Sequence, residues 1–451
     1  MYPVRAEIKQ GPAHFRCGRD NLDQGKQALN YAARFVCVGG ECEDTCCSGW
    51  TVPVDQQTLA GFESLPEGQL KSDVVAAIER KTPPSPHFAV IRMNEQHRCP
   101  LQAGSGLCRV HAELGEQALP VTCQQYPRYK QMMNSREEVA LALSCPEAAR
   151  LVLFTPDLLG PEGPKLHGLG SPNTHANQPL HVWADRIRAL VLWLVAGNRK
   201  YPLWQRLFMI RLLCHRLDHL RETGTEHMTP VLLAEIEASL VSGSLRPALD
   251  QLPSSTEAQL DVVLQLAGLM LEHSNLTPRF LESVNAFTTG IGNGPNATLA
   301  SLAEGYETAQ ELWFEPFLAR YPQMLENWLV NAIIRHRFPF GWQSKEENAP
   351  TTAVQEFDGL AANFALMRGM LIGVAGFYRE AFSQEHVVHT VQAASKHFEH
   401  HPEFLPKARL LLIETGLADA RGSALLLHEG VRKVQRPMAP AVGDQPESAV
   451  A

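Results

Sequence analysis

Apolar residues in most of the second half of the chain recur every three or four positions, the spacing of one face of an α-helix. The pattern covers residues 182–196 and continues from Pro202, which suits a first helical turn, to Leu220. The same spacing predicts helices over residues 229–240, 257–272, 277–287, 299–314, 324–337, 354–375, 384–399 and 407–415. Alternating patterns typical of strands are scarce, the best being residues 88–93 and 139–143. The sequence therefore predicts a mainly α fold.

A segment rich in proline and glycine interrupts the chain before the helical pattern begins. Residues 155–179 contain five prolines and four glycines, which predicts a linker over 155–180. The expected architecture is a small irregular cysteine-rich metal domain packed on a larger helical domain. The predicted units are an N-terminal extension (1–27), the metal domain (28–154), the linker, the helical domain (181–430) and a disordered tail (431–451).

Composition narrows the class of protein. Of the 451 residues, 45% are apolar and 20% charged, as in globular proteins, and the net charge of −8 argues against nucleic-acid binding. The longest apolar run, 189–196, is far shorter than the roughly 18 residues that span a bilayer. The first 27 residues mix charges and lack the apolar stretch of a signal peptide. We expect a cytoplasmic protein without a membrane span.

The cysteines are concentrated in the first third of the chain. Eight of the ten lie between residues 37 and 145, namely Cys37, Cys42, Cys46, Cys47, Cys99, Cys108, Cys123 and Cys145. Thiols clustered in a reducing cytosol more often bind a metal than form disulfides, although inert buried thiols are an alternative. The absence of a CxxC pair argues against zinc knuckles, and the adjacent Cys46 and Cys47 would crowd one tetrahedral ion. Spacing therefore favours an iron–sulfur cluster and leaves zinc open. Cys214 falls in a helical pattern and is expected in the core.

Four separated segments resemble the flagellin lysine-N-methylase family of bacterial cysteine-cluster proteins. They are YAARFVCVGGECEDTCCSGWTVPVD (31–55), CPLQAGSGLCRVHAELGEQALPVTCQQYPR (99–128), SCPEAARL (144–151) and ENWLVNAIIRHRFPF (326–340). The resemblance implies methyl transfer from S-adenosylmethionine to lysine side chains of flagellin. It also implies an iron–sulfur cluster, expected as 4Fe–4S, held by cysteines from the set of eight. One cubane needs four ligands, and the sequence does not select them.

Two motifs that often accompany S-adenosylmethionine are missing. The CxxxCxxC spacing of radical enzymes does not occur, because Cys46 is followed at once by Cys47. The glycine-rich strand-to-helix turn of Rossmann-like methyltransferases is also absent. The nearest sequence, GIGNG at residues 290–294, follows a helical pattern and is interpreted as a turn between helices.

Polar residues of the fourth segment are the best candidates for cofactor binding. Asn327, Asn331 and Arg335 occur at i, i+4 and i+8, and so form one stripe on a predicted helix. This stripe is either a solvated helix face or, as the resemblance suggests, a wall of the cofactor pocket. Arg128, which follows Cys123, is a second candidate for stabilising a cluster or binding a carboxylate. Glu43 and Asp44, in the cysteine loop, are expected to face solvent.

A different class of function fits the same features. The chain could be a non-catalytic iron- or zinc-binding cysteine-cluster protein whose helical domain docks a partner. A labelled methyl-transfer assay and a visible absorption spectrum separate these hypotheses, because zinc thiolates lack the broad absorption of iron–sulfur clusters.

Overall fold

The computed structural model describes residues 30–48, 51–82, 85, 87–133, 136–160, 180–272, 276–341, 350–398 and 403–430. The predicted N-terminal extension, the predicted tail and residues 161–179 of the predicted linker lie outside the described residues.

The described residues are mostly helical, which confirms the mainly α prediction. The N-terminal part has short helices: α1 (Gln56–Glu63), α2 (Gln69–Ala77), α3 (Arg109–Leu114), α4 (Val121–Gln125) and α5 (Pro146–Phe154). The remaining helices are α6 (Ala184–Leu192), α7 (Leu203–Glu222), α8 (Thr229–Ser242), α9 (Arg246–Leu249), α10 (Thr256–Leu271), α11 (Pro278–Gly290), α12 (Leu299–Ala309), α13 (Glu315–Arg320), α14 (Met324–Arg335), α15 (Ala353–Tyr378), α16 (Gln384–Phe398), α17 (Phe404–Glu414) and α18 (Ala420–Leu427). The long predicted helices are present, whereas the spacing of apolar residues did not predict the short N-terminal helices.

Several helices begin where a side chain caps the free backbone N–H groups. Thr277 accepts a hydrogen bond from Phe280 N before α11, and Thr298 forms a capping box with Ser301 at the start of α12. The start of α15 has a partner from another helix, because Asp218 of α7 accepts from the first two N–H groups of α15, both at 2.9 Å. Caps from nearby residues are visible in the sequence, whereas the Asp218 cap depends on packing.

Helix α15 lies at the centre of the helical region and crosses α11 at close range. A Cβ atom on Gly373 would lie 2.4 Å from Cδ2 of Phe287, and one on Gly290 would lie 1.8 Å from the Gly373 carbonyl oxygen. Both glycines are therefore needed for the crossing. The segment 290–294 does connect α11 to α12, as predicted, but its first glycine serves this contact, and Gly292, with a φ of 86°, makes the turn.

The strands form two small antiparallel sheets. In the first, β3 (Ala89–Ile91) lies between β1 (Val52–Val54) and β2 (Ile78–Arg80). In the second, β4 (Arg128–Met133) pairs with β5 (Arg136–Leu141), with Arg128 opposite Leu141. The structure thus contains strands at both predicted places.

Buried apolar residues form two clusters that divide the N-terminal part. The smaller one includes Val52, Phe62, Ile91 and Cys99 and lies around the three-stranded sheet. The larger one fills the helical region and also includes Tyr31, β5 and α5. The segment before the cysteine loop and the β4–β5 hairpin therefore pack with the helices. The domain boundaries at 28, 154 and 181 stay predictions.

One helical stretch among the described residues, Ala353–Ala381, is long and apolar enough to cross a membrane by length and composition. Within its most apolar window, 89% of the residues are buried inside the protein. Glycines and Arg368 divide this stretch, so it contains no long uninterrupted apolar run in the sequence.

Candidate functional site

The first cysteine group lies on a loop that turns back on itself and packs against the second group. Gly39 has a φ of 61°, and its N–H donates to Sγ of Cys37 at 3.4 Å. A Cβ atom on Gly40 would lie 2.6 Å from the backbone oxygen of Ser105, three residues before Cys108. Glycine at these two positions therefore permits both the turn and the close approach of the two segments.

Backbone pairing brings the adjacent cysteines to Cys99. The N–H of Cys99 donates to the carbonyl of Cys47 at 2.7 Å, and Ser48 forms an isolated antiparallel β-bridge with Arg98. The side chain of Gln102 donates to Oγ1 of Thr45 at 2.8 Å. Two stretches about 50 residues apart in sequence are thus joined.

The remaining cysteines are positioned by helix starts and by one short helix. Cys108 precedes the first residue of α3, Cys123 is part of α4, and Cys145 precedes the first residue of α5. Because α5 packs on α14 and α16, the helical region sets the position of Cys145.

Cys46 is the thiol that the other cysteines share as a neighbour. It raises the pKa of five thiols electrostatically, those of Cys42, Cys99, Cys108, Cys123 and Cys145. Its own pKa is raised first by a hydrogen bond with Cys47 and then by burial. Cys46 as a residue retains exposed surface, but burial of the thiol itself contributes to its raised pKa. We call these six residues together with Cys47 the thiol centre.

Burial is the largest effect on the pKa values of the five thiols that interact with Cys46. It raises the pKa of Cys99 to about 11, and it also raises the pKa values of Cys123 and Cys145. The thiols of Cys99, Cys123 and Cys145 therefore favour the neutral form near physiological pH, and a bound cation would favour the thiolate forms that ligate metal. Cys37 is exposed and interacts with Cys42 on one side of the centre.

The chemistry of the donors fits a sulfur-ligated metal group. No three His, Cys, Asp or Glu side chains among the described residues are arranged to hold one metal ion. Ligands of a single ion meet around one point, whereas the thiolates of an iron–sulfur cluster bind different irons and lie farther apart. The thiols of the centre could therefore supply ligands to a cluster of several irons, and that assignment stays a prediction. Cys214 lies fully buried in the helical core, as expected.

The two asparagines of the predicted cofactor stripe bind backbone. Nδ2 of Asn327 donates to the carbonyls of Val152 and Thr155, at 2.9 and 2.8 Å. The side chain of Asn331 donates to the carbonyl of Leu141 at 2.9 Å and accepts from the N–H of the same residue at 3.0 Å. Both side chains are about 95% buried or more, so the stripe is not a solvated face. It joins α14 to β5 and α5, and a role in cofactor binding stays a prediction.

The two predicted arginines stack on aromatic rings beside the same hairpin. The guanidinium of Arg335 lies 5.0 Å from the ring centre of Tyr129. That of Arg128 lies 5.1 Å from the ring centre of Phe35, and Nη2 donates to the Phe35 carbonyl at 3.0 Å. These contacts position β4 against its neighbours. Binding of a cluster or a carboxylate by Arg128 stays a prediction.

Charged and polar residues of the helical region contact the cysteine loop, and the sequence reasoning missed them. The expectation that Asp44 faces solvent is wrong. Its Oδ2 atom accepts hydrogen bonds from Gln392 at 2.6 Å and from Lys396 at 3.0 Å, and both residues belong to α16. Glu43 is exposed as expected and lies 3.7 Å from Arg150 and from Arg279. Among 40 lysines and arginines spread over the chain, no sequence signal identifies the one that reaches this loop.

Comparison with known proteins places the helical region in a family. A profile described as the FliB lysine N-methylase C-terminal domain matches residues 190–426. A protein named lysine-N-methylase from Salmonella typhimurium strain LT2 is 28% identical over 130 residues, which are 29% of this chain and 32% of that protein. A protein named flagellar biosynthetic protein FliU from Salmonella muenchen is 28% identical over 130 residues, which are 77% of its length. The alignment thus spans about a third of the lysine methylase relative. No solved structure matches the chain.

Proposed function

This chain belongs to the FliB lysine N-methylase family, and from that premise we propose that it transfers methyl groups from S-adenosylmethionine to lysine side chains of flagellin. The observation that carries the proposal is the family match over residues 190–426, in a chain whose helical region also contacts the loop that carries Cys46 and Cys47. A flagellin substrate is supported by the flagellar name of one relative. We place the reaction in the cytoplasm, before flagellin is exported.

The chemistry sets requirements on the protein. S-adenosylmethionine supplies a methyl group bound to positively charged sulfur, and a neutral amine must attack it. A lysine in water has a pKa near 10.4, so only roughly one in 2,500 is neutral near pH 7. The protein must therefore desolvate the substrate lysine or accept its proton, and must hold the nitrogen in line with the methyl group.

We further propose that the thiol centre holds an iron–sulfur cluster, of the 4Fe–4S type. Cys46, Cys99, Cys108 and Cys123 form the innermost set of ligands, because each of the last three interacts with Cys46 and Cys123 also interacts with the other two. Such a cluster would hold the 37–48 loop, the 99–108 segment and α4 together. Cys42, Cys47 and Cys145 lie beside the set, and Cys37 lies outermost.

Methyl transfer is tested with the full chain, purified anaerobically and incubated with methyl-labelled S-adenosylmethionine and flagellin. The expected result is label on lysine, detected by mass spectrometry, with flagellin whose lysines are chemically blocked as the control. A metal-loaded protein that leaves flagellin unlabelled would support the non-catalytic metal-binding alternative.

Ligand assignment is tested separately by iron and sulfide analysis and by the visible spectrum. Cys46→Ala and Cys123→Ala are expected to lose the cluster, whereas Cys37→Ala retains it. Cys214→Ala is the matched control, since it removes a buried thiol from the helical core. Stoichiometric zinc without iron, or full iron retention in Cys46→Ala, would refute the cluster assignment and leave the methyl-transfer test unaffected.

A further inference from the structure

Two side chains on one face of α16 hold the loop that carries the adjacent cysteines. Gln392 is fully buried and Lys396, one turn later, is 9% exposed. Both contact Oδ2 of Asp44, two residues before Cys46. The C-terminal region therefore contacts the loop that carries Cys46 and Cys47 at a defined point, through side chains that lie inside the family match.

The contacts of Lys396 match the donors of a protonated amine. Its Nζ atom lies 3.0 Å from Oδ2 of Asp44, 3.1 Å from the carbonyl of Thr45 and 3.1 Å from Oγ of Ser48. An ammonium group has three hydrogens, and three acceptors surround it. A buried charge is costly unless it is paired and hydrogen-bonded, and this one is both. The three acceptors lie on both sides of Cys46 and Cys47, so one side chain joins the two ends of the segment that carries them.

Gln392 extends the same arrangement to a second cysteine. Its Nε2 atom donates to Asp44 and, at 3.0 Å, to the carbonyl of Ser144, which directly precedes Cys145. Its Oε1 atom accepts from Arg279 of α11 at 3.0 Å. The carboxamide thus connects the loop, the start of α5 and α11, which fixes α16 relative to the thiol centre.

The charge of Lys396 lies beside the thiol that the centre shares. Its Nζ atom is hydrogen-bonded to the carbonyl of Thr45, the residue directly before Cys46, and to Oγ of Ser48, two residues after it. Four thiolates around an oxidised 4Fe–4S core leave a net negative charge, which a nearby cation stabilises. Asp44 offsets part of the lysine charge and also keeps the ammonium in place.

We propose that Lys396 is a positioning residue of the thiol centre: it holds the 44–48 loop through three hydrogen bonds and supplies positive charge to the bound cluster. The inference rests on the proposed function, in which this centre binds an iron–sulfur cluster. The family's C-terminal domain thereby completes the site that the N-terminal cysteines form. Loss of the charge weakens cluster binding and disfavours reduction of the cluster.

The test uses anaerobic reconstitution of the full chain with iron and sulfide, followed by competition with a chelator and by redox titration. Lys396→Met is expected to lower iron affinity by about 10- to 100-fold, the range for lost outer contacts of metal ligands. Lys396→Arg, which keeps the charge, is expected to restore most of the affinity. Lys407→Met is the matched control, because this 40%-exposed lysine of α17 pairs with Glu272 and Glu403 away from the centre.

The redox titration separates the charge from the fold. Lys396→Gln keeps a hydrogen-bonding side chain and loses the charge, so its cluster is expected to have a more negative reduction potential at unchanged helical content. This variant also serves if Lys396→Met fails to fold. If folded Lys396→Gln binds iron with the affinity of the unsubstituted chain and its cluster has the same reduction potential, the proposal for Lys396 is overturned. The proposed cluster itself is still upheld in that case, provided that the unsubstituted chain binds iron. Failure of the unsubstituted chain to bind iron would refute both the cluster and the role of Lys396.

Discussion

The polar stripe of α14 could serve in packing or in cofactor binding, and a substitution at Asn331 distinguishes these two roles most clearly. The carboxamide of Asn331 satisfies both the N–H and the carbonyl of Leu141, and its oxygen also accepts from the hydroxyl of Tyr31 at 2.6 Å. Tyr31 and Leu141 are fully buried, and Asn331 is 2% exposed. Asn331→Ala would remove the partner of three polar groups that have little access to water.

The expected cost follows from these three groups. Leaving a buried polar group without a partner costs about 1–3 kcal/mol. A water molecule entering the space that alanine opens would recover part of the loss, so we expect about 3–5 kcal/mol in total. Tyr31→Phe leaves Asn331 bound to Leu141 and is expected to cost about 1 kcal/mol. The two substitutions share a hydrogen bond and should therefore be non-additive in a double-mutant cycle.

The assay is urea unfolding of the full chain, followed by far-ultraviolet circular dichroism and by tryptophan fluorescence. Agreement between the two probes tests whether one transition describes the unfolding. Asn285→Ala is the matched control, because Asn285 is exposed on α11 and its replacement should change stability by no more than about 0.5 kcal/mol. Binding of S-adenosylmethionine is measured on each folded variant by calorimetry.

The reasoning is refuted if Asn331→Ala unfolds at the wild-type urea concentration. Loss of S-adenosylmethionine binding at unchanged stability would instead assign Asn331 to the cofactor site. Large destabilisation by Asn285→Ala would show that the unfolding assay does not distinguish a buried asparagine from an exposed one.

Three further predictions concern the helical region. Glu326→Gln should lower the free energy of unfolding by about 3–5 kcal/mol, because the buried guanidinium of Arg206, 2.8 Å from the carboxylate, loses its countercharge. Thermal unfolding of the two proteins measures this difference. Burial raises the pKa of Asp358 to about 6 from its usual 3.8. The folded state thus holds this proton more tightly, and its contribution to stability is full below about pH 4 and is lost as the pH rises through about 6. Asp358→Asn should therefore stabilise the protein by about 1–3 kcal/mol near pH 7.5 and should flatten the loss of stability between pH 4 and 6. Gly290→Ala should lower the free energy of unfolding by about 3 kcal/mol or more, because the added Cβ would overlap the backbone of α15. At Gly294 no atom lies within 4 Å of an added Cβ, so Gly294→Ala should leave the stability unchanged.

Each of these has an outcome that contradicts it. Wild-type stability of Glu326→Gln would mean that Arg206 finds another partner. Destabilisation by Asp358→Asn near pH 7.5 would mean that neighbouring arginines outweigh burial. Equal effects of the two glycine substitutions would remove the close helix crossing as their cause.

The sequence predicts the helical class well because long amphipathic patterns reflect which face each helix buries. It predicts the short N-terminal helices poorly, since α3 and α4 have only six and five residues, less than two turns, in which an apolar face does not repeat often enough to be recognised. The buried stripe of α14 shows a second limit. A row of amides at helical spacing looks the same in sequence whether it faces water, a cofactor or, as here, the backbone of a strand and of a neighbouring helix.

The same division applies to the candidate site. The eight cysteines and their likeness to a family were evident from residue type and order, because thiol chemistry is carried by the side chain itself. Which thiols meet around Cys46, and that Lys396 reaches their loop from a position 352 residues beyond Asp44, depended on how the helices pack. Residue identity determines what a group can bind or donate, but contact between distant groups is set by the folded backbone, which local sequence patterns do not encode.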